Sequence, residues 1–178
     1  VGVMNLQTRS KDFFLPQNYS VVAFHQQVLQ RSVIKGYLHN RQAFDAEGPD
    51  YNRNMGLEFQ YRSDDGRLQA FGGYSKVFSP GTGGRNYYYM TGIGYDNRNI
   101  SFYTNLAGLG KNYQADLGHI TRHEFYDASR DTSIRISMNH WFIQYAHTFY
   151  PENSKRIISH ELNARYIQDF DTAFSLLQ

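Results

Sequence analysis

Residues 85–108 read Arg85-Asn86-Tyr87-Tyr88-Tyr89-Met90-Thr91-Gly92-Ile93-Gly94-Tyr95-Asp96-Asn97-Arg98-Asn99-Ile100-Ser101-Phe102-Tyr103-Thr104-Asn105-Leu106-Ala107-Gly108. Two aromatic, alternating segments of strand length flank Asp96-Asn97-Arg98-Asn99, and Asn and Asp favour turns because they tolerate left-handed backbone and bond their own main chain. The stretch reads as a β-hairpin. In its first arm Tyr87, Tyr89, Thr91, Ile93 and Tyr95 share a face; in its second Ile100, Phe102, Thr104 and Leu106 do, with Ser101, Tyr103 and Asn105 opposite. One face is apolar and the other is small or hydrogen-bonding. A soluble sandwich buries such an apolar face in its core, whereas a membrane barrel turns it to lipid and puts the polar face in the lumen.

The segments on either side repeat the pattern. Asn52 to Arg62 sets Met55, Leu57, Phe59 and Tyr61 against Gly56, Glu58, Gln60 and Arg62, a polar face too charged for a dry core. Ser63-Asp64-Asp65-Gly66 is a turn with Gly at its last position, and Arg67 to Phe78 returns. Further out, strands are predicted at Val1 to Thr8, Tyr19 to Leu29, Val33 to Asn40, Thr132 to Tyr150 and Lys155 to Asp169, with Phe170 to Gln178 as a tail that can begin another. That makes about nine strands and no convincing helix, so residues 1–178 are expected to form a single all-β unit.

The connections discriminate more than the strands. Short bends at Gln30-Arg31, Asp64-Asp65, Asn97-Arg98 and Glu152-Asn153 alternate with long connections at 9–18, 41–51, 79–84 and 109–131. In an up-and-down antiparallel meander every second connection falls at the same end. Short turns at one end and long loops at the other is the outer-membrane barrel pattern, and a Greek-key sandwich has no reason to produce it.

Composition is consistent with a wall that meets both lipid and water. The hydrophobic fraction is only 40%, yet the chain carries 15 Tyr and 13 Phe, and tyrosine pairs an apolar body with a wet tip. A net charge of +2 with scattered basic residues argues against a nucleic-acid partner. The lack of cysteine removes disulfides, thiol nucleophiles and thiolate metal sites. No apolar run approaches the ~18 residues of a spanning helix. The sequence opens at Val1-Gly2-Val3-Met4 without an initiator Met, which reads as a removed leader or a piece of something longer.

Candidate chemistry is sparse. His119-Ile120-Thr121-Arg122-His123-Glu124 gathers zinc-competent side chains, but its spacing does not match a helical zinc motif, and a hydrogen-bonded loop is the better reading. His160 and Glu161 are adjacent on a strand and face opposite ways, so they do not serve one site. Ser79 to Gly84 lacks the Gly-Lys-Ser/Thr ending of a phosphate cradle, and no nucleophile elbow exists. No catalytic residue, metal or cofactor is therefore assigned. The polar strand faces are the candidate ligand surface: Glu58, Gln60 and Arg62; Tyr103 and Asn105; Glu161, Asn163 and Arg165. Lumen-facing groups of this kind suit a wet channel or a polar ligand such as a sugar, for which Tyr offers a stacking face.

Several phrases occur in the order of one family: Val1-Gly2-Val3-Met4-Asn5-Leu6-Gln7-Thr8, Asn18-Tyr19-Ser20-Val21-Val22, Asn40-Arg41-Gln42, Tyr51-Asn52-Arg53-Asn54 and Asn112-Tyr113-Gln114-Ala115-Asp116-Leu117-Gly118-His119-Ile120. With these landmarks the chain resembles large Bacteroidetes-type outer-membrane proteins that join an N-terminal family-nine-like carbohydrate-binding module to a C-terminal barrel domain of unknown function. The resemblance implies a Gram-negative outer-membrane location, a barrel that extends past Gln178, a longer parent whose missing part has a connection with carbohydrate catabolism, and closing strands from the same polypeptide or another chain. None of the phrases is a catalytic motif. The leading expectation is a transmembrane outer-membrane β-barrel segment forming part of a wall or pore linked to carbohydrate; the alternative is a soluble all-β carbohydrate-binding module.

Overall fold

The computed structural model describes residues 1–11, 14–44, 46–116, 124–152 and 158–171. Its main element is a nine-stranded antiparallel sheet. The strands are β1 (Gly2–Gln7), β2 (Gln17–Val28), β3 (Ser32–Ala43), β4 (Tyr51–Arg62), β5 (Leu68–Phe78), β6 (Tyr87–Asp96), β7 (Ile100–Leu109), β10 (Met138–Phe149) and β11 (His160–Phe170). A separate two-stranded hairpin, β8 (Glu124–Asp127) with β9 (Thr132–Arg135), interrupts the chain between β7 and β10. Every strand of the large sheet pairs with its neighbour in the chain, β7 reaching β10 across the hairpin. The sheet is not closed, because β1 and β11 each keep one edge unpaired among the described residues.

The turns form for the reasons their residues suggest. Gly66 takes a left-handed φ of 73°, and its N–H bonds the Ser63 carbonyl at 2.9 Å. The Asn97 side chain accepts the N–H groups of Asn99 and Ile100, both at 2.8 Å, which is an Asx turn. These turns and the one at Leu29–Arg31 share one end of the sheet, and the connections 8–16, 44–50 and 79–86 share the other. Pro151-Glu152 begins at the short-turn end too, while the rest of that bend lies outside the described residues.

The segment from 132 to 150 is corrected. It is two strands, not one, and the stretch 109–131 expected as a long connection before it supplies β8. The pairing of β7 with β10 ends at Leu109 opposite Met138, so residues 132–135 have no β7 partner left and pair with β8 instead. At the break between β9 and β10, the Ser137 hydroxyl accepts the Lys111 N–H at 2.9 Å.

Register assigns the two faces. Leu57, Tyr74 and Tyr89 lie opposite one another across β4, β5 and β6, as do Phe59, Gly72, Thr91 and Leu106 one row on, so the apolar sets of all these strands share one face. Among the described residues no strand packs on it. Met55, Leu57, Phe59 and Ile93 are 46%, 57%, 41% and 42% exposed, and Phe24, Trp141, Leu162 and Tyr166 on the same face are exposed as well. A sandwich needs a second sheet about 10 Å away. Among the described residues the remaining strands are β8 and β9, which pair only with each other.

Candidate binding surface on the polar face

The opposite face carries the candidate ligand residues, and the register sorts them into rows running across the strands. Gln60, Phe71, Gly92, Asn105, Phe142 and Ile167 form one row from β4 to β11. Arg62, Gln69, Gly94, Tyr103, Gln144 and Arg165 form the next, about 7 Å nearer the short turns. Of the residues expected from sequence, Gln60, Arg62, Tyr103, Asn105 and Arg165 thus fall into a single band. Glu58 lies one row toward the long connections, and Asn163 and Glu161 lie beyond the band on the short-turn side.

Aromatic rings join this band. The rings of Phe71 and Tyr103 are 6.3 Å apart and nearly parallel, and Tyr103 lies 5.9 Å from Phe142. The Arg165 guanidinium stands 5.6 Å from the Phe142 ring. Strand β6 makes room for the first two rings with glycine. A Cβ on Gly92 would meet a Phe71 ring carbon at 2.5 Å and the Thr104 carbonyl at 2.7 Å. On Gly94 it would meet Gln69 at 2.9 Å and Tyr103 at 3.3 Å. The two rings therefore lie down over the β6 backbone from either side. Gln60, Arg62, Gln69 and Phe71 line a shallow depression at the β4–β5 end of the same band.

At the long-connection end the face is covered. After β7 the chain crosses back over β6, β5, β4 and β3 as a strap, residues 110–116. Its backbone N–H groups at Gly110 and Asn112 bond the Tyr87 and Arg85 carbonyls at 2.8 and 2.9 Å, and the Asn112 amide donates to Gly84 at 2.7 Å. Tyr113 then inserts between β4 and β5, its hydroxyl bonded to the Asn54 amide at 3.1 Å and the Ser75 hydroxyl at 2.8 Å. Asn52 donates to the Gln114 carbonyl at 2.7 Å. Asp116 on the strap is held at 2.6 Å by Arg41, which also binds Asp50 at 2.7 Å. Sequence reasoning missed this layer. The signal for it was the run of small or amide side chains, Asn52, Asn54 and Gly56 facing Ser75, which leaves space on one face.

Of the other groups singled out, His119 to His123 lie outside the described residues, and Glu124 pairs with Arg135 across the hairpin at 3.0 Å. His140 meets Asp169 at 2.8 Å on the polar face. His160 and Glu161 face opposite sides of β11. In the hairpin, the bond from Tyr126 to Asp131 raises the phenol above its ordinary value, and the Ser129 hydroxyl and N–H hold Asp127 low.

On the apolar face four polar side chains are paired to their own sheet. The Thr104 hydroxyl donates to the Phe142 carbonyl at 2.9 Å and accepts the Trp141 indole N–H at 3.0 Å. Thr91 bonds the Phe71 carbonyl at 3.2 Å, and Tyr89 bonds Asn139 at 2.7 Å. The cations of this face and its rims sit over rings near the ends: Arg53 over Tyr51 at 4.6 Å, Lys76 over Phe78 at 5.5 Å and, at the short-turn rim, Arg98 over Tyr150 at 4.5 Å. Comparison with protein-family models, curated proteins and solved structures finds no match for this chain.

Proposed function

We propose that this chain forms part of the wall of an outer-membrane β-barrel in a Gram-negative bacterium, with its apolar face in lipid and its polar face lining a lumen that handles carbohydrate. The observation that carries the reading is the middle of the uncovered face, a band of Leu, Ile, Phe, Trp and Tyr without a charge, in which the Tyr89, Thr91 and Thr104 hydroxyls and the Trp141 indole are paired to their own sheet. Hydrocarbon demands that pairing, because an unpaired polar group there costs several kcal/mol. The strands are mostly 10 to 12 residues long, which matches a tilted crossing of the hydrocarbon layer. Arg and Lys over aromatic rings near both ends fit interfacial girdles.

The free edges define what completes the wall. Up-and-down connection over nine strands leaves β1 and β11 running in the same direction. Antiparallel closure then takes an odd number of further strands between them. A second copy inserted with the same loops outward would offer only a parallel edge. The closing strands are therefore of different sequence, from a longer polypeptide or another chain.

The test uses single cysteines introduced into the cysteine-free sequence at Ile93, on the apolar face, and Gln60, on the polar one, each carrying an environment-sensitive fluorophore in outer-membrane vesicles. The reading expects blue-shifted, lipid-quenchable emission from position 93 and water-like emission from 60. Water-like emission from both would overturn it.

A further inference from the structure

We infer that Arg53 and Lys76 form a site for the phosphomonoester headgroup of a membrane lipid, on the apolar face at its long-connection end. The inference rests on the lipid-facing reading of that face and adds the headgroup chemistry and the residues that hold it.

The distribution of charge singles out this pair. The polar face mixes signs, setting Lys35, Arg62 and Arg165 among Glu58, Asp96 and Asp169. Among the described residues of the nine-stranded sheet, the positions that alternate onto the apolar face hold no carboxylate, and their only Arg and Lys are Arg53 on β4 and Lys76 on β5. The two are diagonal neighbours: Arg53 lies opposite Phe78 and Lys76 opposite Met55, which sets them about 7–8 Å apart. Like charges side by side, with no anion on their own face of the sheet, are complementary to an anion from outside it.

Depth follows from the register. Asn5, Ser20, Asn40 and Arg53 form a polar row from β1 to β4. One row nearer the short turns stand Val3, Val22, Leu38, Met55 and Lys76, apolar except for the lysine. In a bilayer such a change from amides to aliphatic side chains falls between headgroups and hydrocarbon. Lys76 is rooted in the apolar row, yet its ammonium stands 5.5 Å from the centre of the Phe78 ring, and Phe78 belongs to the row of Arg53. Its stem crosses the boundary and brings the charge to headgroup level.

The free donors select the headgroup. Arg53 donates its Nε–H to the Asn40 side-chain oxygen at 3.1 Å, and among the described residues neither its terminal N–H groups nor the Lys76 ammonium has a hydrogen bond or ion pair. A phosphomonoester brings about 1.5 to 2 negative charges and three acceptor oxygens, enough for the guanidinium fork and the ammonium together. A phosphodiester headgroup brings a single charge and two free oxygens, which leaves one of the two cations unmatched.

The experiment places the full protein in detergent micelles with equal amounts of phosphatidic acid, a phosphomonoester, and phosphatidylglycerol, a diester. Native mass spectrometry counts each lipid retained on the protein, and the Ile93 fluorophore is read in vesicles of the same lipids. Phosphatidic acid is expected to be retained about fivefold or more over phosphatidylglycerol, with the preference falling to near parity when Arg53→Gln and Lys76→Gln are combined. Removing two cations elsewhere, by Arg62→Gln on the polar face with Arg98→Gln at the short-turn rim, is expected to hold the preference within about twofold of the parent. Equal retention of both lipids by the parent, or equal preference in the two double variants, overturns the site. If that happens while the position-93 emission stays lipid-like, the wall stands and only the headgroup site is lost; water-like emission there removes the wall and the site with it.

Discussion

At the long-connection end of the polar face, Asn54, Ser75, Val77 and Tyr113 are 4%, 3%, 0% and 6% exposed. On the same strand as Asn54, three and four rows away, Gln60 and Arg62 stand exposed, and the neighbouring rings Phe71 and Tyr103 are half-covered. Both ends belong to one continuous sheet with one alternation. The difference comes from residues 110–116, which fold back over β6 to β3 and convert a wet face into a small packed layer. Strand pattern thus decides which way a side chain points, and the connection decides whether it is buried.

The largest expected effect breaks the covered end. Tyr113→Ala removes a buried ring and takes from the Asn54 amide and the Ser75 hydroxyl the partner they share, and is expected to destabilise by about 3–5 kcal/mol in denaturant titrations. Tyr103→Ala, at the open end, should cost clearly less. Equal losses would show that the two ends do not differ as described.

Next comes the contrast between faces. Ile93→Arg on the apolar face is expected to cost about 2–4 kcal/mol in lipid, while Asn105→Arg on the polar face stays close to the parent. Refolding yields into vesicles of the two variants check this. Equal tolerance of both substitutions would remove lipid from the apolar face.

Gly92→Val tests the open end from beneath. Its side chain would collide with the Phe71 ring and the Thr104 carbonyl, and overpacking of this kind costs about 1–3 kcal/mol. Phe71→Ala in the same molecule should recover part of the loss; no recovery would mean the ring is not what Gly92 accommodates.

Asp116→Asn is expected to loosen the far end of the strap by about 1 kcal/mol, since Arg41 keeps Asp50 as a partner. Faster amide exchange at residues 114–116, with Gly110 and Asn112 unchanged, would show it. Uniform exchange would mean the strap opens as one piece.

The smallest effect belongs to the short turns. The Ser63 hydroxyl, then the Arg67 N–H, hold the exposed Asp65 carboxyl below its ordinary value of 3.8. The folded value is the lower one, so the turn's contribution is present above the ordinary value and is lost as pH falls through the depressed one. Ser63→Ala should move the Asp65 titration, followed by NMR, back up toward 3.8. An unmoved titration would show that the hydroxyl does not hold the carboxylate.

The alternation of Met55, Leu57, Phe59 and Tyr61 against Glu58, Gln60 and Arg62 was enough to place these residues on opposite faces, and Asn97 and Gly66 were enough to place their turns. Those features rest on a period of two and on contacts a few residues long, which any single strand or turn carries within itself. The order of the strands followed from the alternation of short and long connections. The rows that bring Gln60, Tyr103 and Arg165 into one band depend on the register of each pair of strands, which alternation leaves undetermined by steps of two residues. The split of 132–149 into β9 and β10 depends on where β7 runs out of partners. The strap was hidden for a related reason: Tyr113 reaches Asn54 and Ser75 across separations of 59 and 38 residues, so only the assembled sheet makes the space that its ring fills.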